Sequence, residues 1–191
     1  MREFELYTRL LDSQFESSDQ EHMVEAVQGQ KISLIKKGTD ACKLYRFDID
    51  TSKYDFLCFF NKNHKSHSTN PGLDDLRKFC DYVLLVDKDG KLYVFPIELK
   101  NGGTSGAVEQ VKATEIFMDF IKNTAERIKD KNDYLDFDKN NIFTRKIIIK
   151  GTKNRPLTNI GKDTSIKWDQ DPIYIKGSSL PILHIINNGN I

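Results

Sequence analysis

The 191-residue sequence predicts an α/β protein in which helices cover a mixed β-sheet. Three observations carry that expectation. Apolar runs of strand length, several of them alternating, occupy the middle and the end of the chain. A long stretch near residue 110 changes to helical periodicity. The elements follow one another as helix, strands, helix, strands.

Taken in order, "MREFELYTRLLDSQF" reads as an amphipathic, acidic helix from Arg2 to Phe15. "SDQE" sets Ser18 and Glu21 at capping-box spacing and predicts a second helix, stopped by Gly29. "KISLIKK", "ACKLYRFDI" and "YDFLCFF" predict strands, with "KKGTD" as the turn between the first two. "NKNHKSHSTNPG" reads as a loop. "FCDYVLLVDKDGKLYVFPIELKNGG", from Phe79 to Gly103, supplies two more strands around "DKDG". From Gly106 to Lys129, a helix places Val111, Ile116, Phe117, Phe120, Ile121 and Ile128 along one stripe. "TRKIIIKG" and "LPILHII" predict closing strands, separated by a basic, turn-rich segment from Thr152 to Ile175.

Composition narrows the class. With 38% hydrophobic and 30% charged residues, the chain suits one soluble domain with a sizeable core. No apolar run reaches the length of a membrane span, and the N-terminus lacks the apolar stretch of a secretory signal. Cys42, Cys58 and Cys80, odd in number and widely separated, argue for a reducing cytoplasm rather than a disulfide framework. The net charge of +1 hides an asymmetry, since residues 1–30 are strongly acidic and residues 141–176 strongly basic. The basic half makes Lys150, Lys153 and Arg155 candidate contacts for an anionic partner, with a solvated face as the plainer alternative.

The hairpin carries the chemistry. If residues 88–91 form its loop, Asp81 faces Glu98 across the strand pair; a three-residue loop would put them on opposite faces unless a bulge restored the parity. Pro96, which cannot donate to a ladder, marks an edge or a bulge nearby. Glu98 and Lys100 share a face, and Leu99 points into the core. Two facing carboxylates repel, and burying them is costly unless a cation sits between them. A hard divalent cation fits, with oxygen ligands from Asp81, Glu98 and the backbone carbonyl of Leu99. Lys100 would then assist a water attacking a phosphate and stabilise the charge that develops. The plainer alternative makes these residues strand-end charges facing solvent. It leaves unexplained why Glu98 follows the apolar run "LYVFPI".

An acid on one strand and Glu-X-Lys on the next, here "CDYVLLV" followed by "PIELK", resembles the PD-(D/E)XK nuclease superfamily. The resemblance covers roughly residues 18–150 and implies a restriction-endonuclease-like αβββαβ core, with residues 151–191 as a basic segment and final strand of the same domain. It implies a helix after the Glu-X-Lys strand with a Gln near its N-terminal end, where "NGGTSGAVEQVKAT" puts Gln110. It also implies a further acid from the preceding helix, Glu21 first and Glu25 second. Cys80 stands where the family name has Pro. The activity implied is Mg²⁺-dependent, or Mn²⁺-dependent, hydrolysis of phosphodiester bonds, in DNA ahead of RNA. Restriction or host defence, with a homodimer or a partner protein, follows by analogy. The alternatives are a non-catalytic nuclease-like binding module and a junction resolvase, the latter wanting a more basic surface.

Other signals are set aside. His64 and His67 match no zinc spacing, "DKDG" and "DFDKNN" lack the calcium-loop Gly and Glu, and "GTSG" lacks the phosphate-loop Lys. Trp168 either packs or stacks on a base.

Overall fold

Helix α1 (Arg2–Leu10) is followed by strands β1 (His22–Val24), β2 (Lys31–Ile35), β3 (Ala41–Arg46), β4 (Tyr82–Lys88) and β5 (Lys91–Lys100). Helix α2 (Ala107–Ile128) leads to β6 (Ile142–Thr144), β7 (Ile147–Lys150), β8 (Ser165–Lys167), β9 (Ile173–Lys176), β10 (Ser179–Pro181) and α3 (Ile182–Asn188). This computed structural model describes residues 2–24, 29, 31–48, 79–100, 106–131, 136–150, 165–167 and 171–188. The predicted strand "YDFLCFF" and the loop after it lie outside these residues.

The main sheet runs β3-β4-β5-β7-β9-β8, with β6 also on β5. β4 is antiparallel to both neighbours, whereas β5, β7 and β9 are mutually parallel. Taken in chain order, α1, β3, β4, β5, α2 and β7 make one helix, three strands, a helix and a strand, and the four strands are spatial neighbours in that same order. A second sheet, β1-β2-β10, joins the two ends of the chain.

The main sheet is buried on both sides, which explains the nearly continuous apolar runs of β4 and β5. Val83, Leu85, Val94 and Ile148 pack under α1 and α2. Leu84, Phe95, Ile97, Leu99 and Ile149 pack on the other face against Met23, Ile32, Leu180 and Ile185 of the small sheet and α3. Leu99 therefore points into a core, as the period of two requires. No helix among the described residues is long and apolar enough to cross a membrane.

Five expectations change. The segment from Thr152 to Ile175, expected to be turn-rich, contributes β8 and most of β9. The first helix stops at Leu10 and continues only as a 3₁₀ turn at Ser13–Phe15, capped by the Asp12 side chain on the Gln14 N–H. No helix starts at Ser18. Asp19 accepts from the N–H groups of Glu21 and His22, and Gln20 bonds both the N–H and the carbonyl of Leu44, so the segment enters β1 extended. The stripe of α2 is rotated: Val111, Thr114, Met118, Ile121 and Ala125 are buried, whereas Ile116 and Phe120 face solvent. "LPILHII" is strand only to Pro181, after which Ile182 and Ile185 bury at helical spacing in α3.

Candidate active site

The register of β4 and β5 decides the geometry. Tyr82 faces Ile97 and the ladder continues to Lys88 facing Lys91. The turn is thus Asp89-Gly90, two residues rather than four, both left-handed at φ 52° and 72° as a tight hairpin requires. Shortening the loop by one residue at each end leaves the pairing unchanged, so Asp81 still falls opposite Glu98. The Asp81 N–H donates to Glu98 Oε2 at 3.2 Å, and the Leu99 N–H donates to Asp81 Oδ2 at 2.7 Å. Each acid is held by backbone beside the other. The hairpin needs no bulge, and Pro96 marks no edge: β5 is central, and Pro96 lies opposite the break between β6 and β7, where the neighbouring ladder pauses.

Glu98 is 1% exposed. Burial pushes its carboxyl up to about 7, and the Asp81 charge adds to the rise, against the opposing pull of Lys100 and the Asp81 N–H. Lys100 Nζ lies 2.6 Å from Glu98 Oε1 and donates to Gln110 Oε1 at 3.2 Å. Gln110 also donates from Nε2 to the Phe79 carbonyl at 3.4 Å. One helix residue therefore touches both the Lys of β5 and the chain entering β4. Asp81, Glu98, Lys100 and Gln110 are brought together.

Thr114, one turn along α2, escaped the sequence reading. Its buried hydroxyl accepts from the Cys80 N–H at 2.8 Å and donates to the Gln110 carbonyl at 3.0 Å. This fixes the backbone just before Asp81 to the helix that carries Gln110. A proline at position 80 would have no N–H to give, so Cys80 and Thr114 form a matched pair. The available signal was a polar residue four after Gln110 on the helix's apolar stripe. Cys80 itself is fully buried, and burial drives its thiol far up.

Other candidates lie elsewhere. Glu21 is on no helix, and its carboxylate pairs with Lys36 at 3.0 Å, mostly exposed. Its charge is felt at Cys42, which faces Val86, five positions along β4 from Asp81. At about 3.4 Å per residue that is roughly 17 Å, so Glu21 does not join the acid pair. Lys150 is exposed at the end of β7, in register with Lys100. Glu25, His64, His67, Lys153, Arg155 and Trp168 lie outside the described residues.

Among the described residues no group of three or more His, Cys, Asp and Glu side chains gathers in one place. The donor set that does exist is two carboxylates, with Asp81 partly exposed. Hard oxygens of this kind suit Mg²⁺ or Mn²⁺; Mg²⁺ is held by one or two carboxylates and keeps several of its waters. No protein-family model, curated protein or solved structure matches the chain.

Proposed function

We propose that the protein is a metal-dependent nuclease of the PD-(D/E)XK type, hydrolysing phosphodiester bonds in DNA ahead of RNA. The observation that carries this reading is the convergence of Asp81, Glu98, Lys100 and Gln110, with the two acids locked side by side through crossed bonds to backbone N–H groups. The αβββαβ order of elements agrees with it. Asp81 and Glu98 are the residues that would hold Mg²⁺ or Mn²⁺. Lewis-acid polarisation of the phosphate and a more acidic attacking water are what such an ion supplies when bound.

The rest belongs to the chain's own groups. Glu98 must be ionised to serve, which its carboxyl value of about 7 allows at neutral to alkaline pH. Lys100 places an ammonium beside the same carboxylate, where it can orient a water and meet the negative charge that builds on the phosphate oxygens. Gln110 accepts from that ammonium through its Oε1, giving Lys100 a second, neutral partner beside Glu98. The family resemblance implies 5′-phosphate and 3′-hydroxyl products. A role in restriction or host defence, as a homodimer or with a delivering partner, extends the same reading.

The test is direct. Purified protein is incubated with Mg²⁺ or Mn²⁺ on plasmid, linear duplex, single-stranded DNA and RNA, with EDTA as control. Cleavage of at least one substrate, stopped by EDTA, is expected. Loss of no substrate under any condition, or cleavage that survives EDTA, overturns the reading and leaves a binding module as its successor.

A further inference from the structure

The parallel register of β5, β7 and β9 aligns three lysines. Lys100 faces Lys150, and Lys150 faces Lys176. Side chains paired in register share a sheet face, and the preceding residues confirm which one: Ile148 and Tyr174 pack on the α1/α2 side, the side of Glu98. The row therefore starts at the acid pair and runs outward across the carboxyl ends of three neighbouring strands.

Like charges on adjacent strands repel, so such a row is an unfavourable arrangement for the fold itself. Lys100 is compensated by Glu98 at 2.6 Å. Among the described residues neither Lys150 nor Lys176 has an acidic partner, and both are exposed. Lys146, four residues before Lys150 and just ahead of β7, shows the contrast, being held by Glu115 at 2.7 Å and Asp171 at 3.2 Å. With neighbouring strands about 4.8 Å apart, the row spans roughly 10 Å, against about 7 Å of axis for three successive phosphates on one strand of DNA, a difference that flexible lysine stems take up.

We infer that Lys150 and Lys176 form a phosphate track that lays the substrate backbone across the carboxyl ends of β5, β7 and β9, with the scissile phosphate at Lys100 and the next phosphates on one side of it at Lys150 and Lys176. The inference rests on the nuclease reading for its starting point and goes beyond it by giving the direction in which the polyanion runs. Lys176 enters the binding surface from a strand that sequence periodicity did not reveal.

The experiment measures binding apart from cleavage. A fluorescein-labelled 20-base-pair DNA duplex and the corresponding single strand are titrated in EDTA over a range of salt, with the parent, with Lys150→Gln/Lys176→Gln, and with Lys31→Gln/Lys139→Gln. The control pair removes the same charge from exposed positions away from the row. The row predicts that its double variant weakens binding by about 10-fold or more near 0.15 M salt and lowers the log–log salt slope by roughly 2, at about 0.9 per phosphate contact, while the control moves neither by half as much. Thermal melting checks the fold: relieving the repulsion should leave the double variant's melting temperature equal to the parent's or higher. An unchanged slope, a control that acts as strongly as the row, or a parent that binds neither DNA overturns the inference. A parent that binds with the row's salt slope yet cleaves nothing in the nuclease assay upholds the track and removes the nuclease reading alone.

Discussion

Glu98 is a carboxylate at the end of an apolar strand, and its burial gives it two measurable signatures. The first is chemical. Replacing Glu98 or Asp81 with Ala should abolish cleavage while leaving a folded protein, and Lys100→Ala should slow cleavage by about 10² or more, as for a group acting mainly on the transition state. Single-turnover rates with EDTA-stripped, metal-reloaded protein check both. The second is thermodynamic. The folded carboxyl value of about 7 lies above the unfolded 4.5, so the fold favours the protonated form. Stability from this group is full below 4.5 and declines as pH rises towards 7, by about 3 kcal/mol in total. Glu98→Gln, which stays neutral, should melt several degrees above the parent at pH 8 in EDTA, with the gap closing by pH 4.5. A gap that stays constant across that range would show that Glu98 is not held as described. Residues of this kind are legible in sequence, because a charge after "LYVFPI" demands a reason. Thr114 is not, because a hydroxyl on an apolar helix face reads as packing until its acceptor is seen. Glu21 misled for a third reason: Ser18 and Glu21 have the right spacing for a cap, but Asp19 takes the Glu21 N–H that the cap would use, together with that of His22, for a turn.

The elements divide in the same way. The hairpin was readable because parity is strict: any loop that keeps the same pairing puts Asp81 opposite Glu98, and the closing turn proved shorter without altering it. Helix α2 was readable in position but not in rotation, since Ile116 and Phe120 are as apolar as the residues that bury. Its buried stripe instead includes Ala107, Thr114 and Ala125, small enough to let the helix lie close on the sheet. The C-terminal run misled because Ile and Leu suit either state, and Pro181 ends the ladder where the periodicity had suggested continuation. The docking of α2 rests in part on the Thr114–Cys80 bond. Thr114→Val leaves the Cys80 N–H buried without that acceptor and should lower the unfolding free energy by about 1–3 kcal/mol in urea denaturation. Thr114→Ser should restore most of the loss, since its hydroxyl can make the same two bonds.

At the scale of the molecule, the cation proposed between the two acids would link binding to folding. An ion present at a hundred times its Kd should raise the unfolding free energy by about 2.7 kcal/mol, seen as a rise in melting temperature on adding Mg²⁺ or Mn²⁺. The rise should vanish in Asp81→Asn and Glu98→Gln, and it should be larger at pH 8 than at pH 6, because Glu98 must release a proton to bind. The broad α/β architecture was legible from the order of strand-like and helical runs, whereas the second sheet was not. Strand β10 is three residues long and pairs with β2 from the opposite end of the chain, a partnership with no local trace in the sequence. That partnership has a consequence outside the site. β2 carries buried Ile32 and Leu34 and is flanked by β1 on one side and β10 on the other. Removing residues 179–191 would strip one flank and leave the unpaired edge of "KISLI" open to the same edge of another molecule. Light scattering of such a truncation should show concentration-dependent self-association beyond that of the full chain. The final strand thus covers an adhesive edge, closing to other molecules a flank that the rest of the small sheet leaves bare.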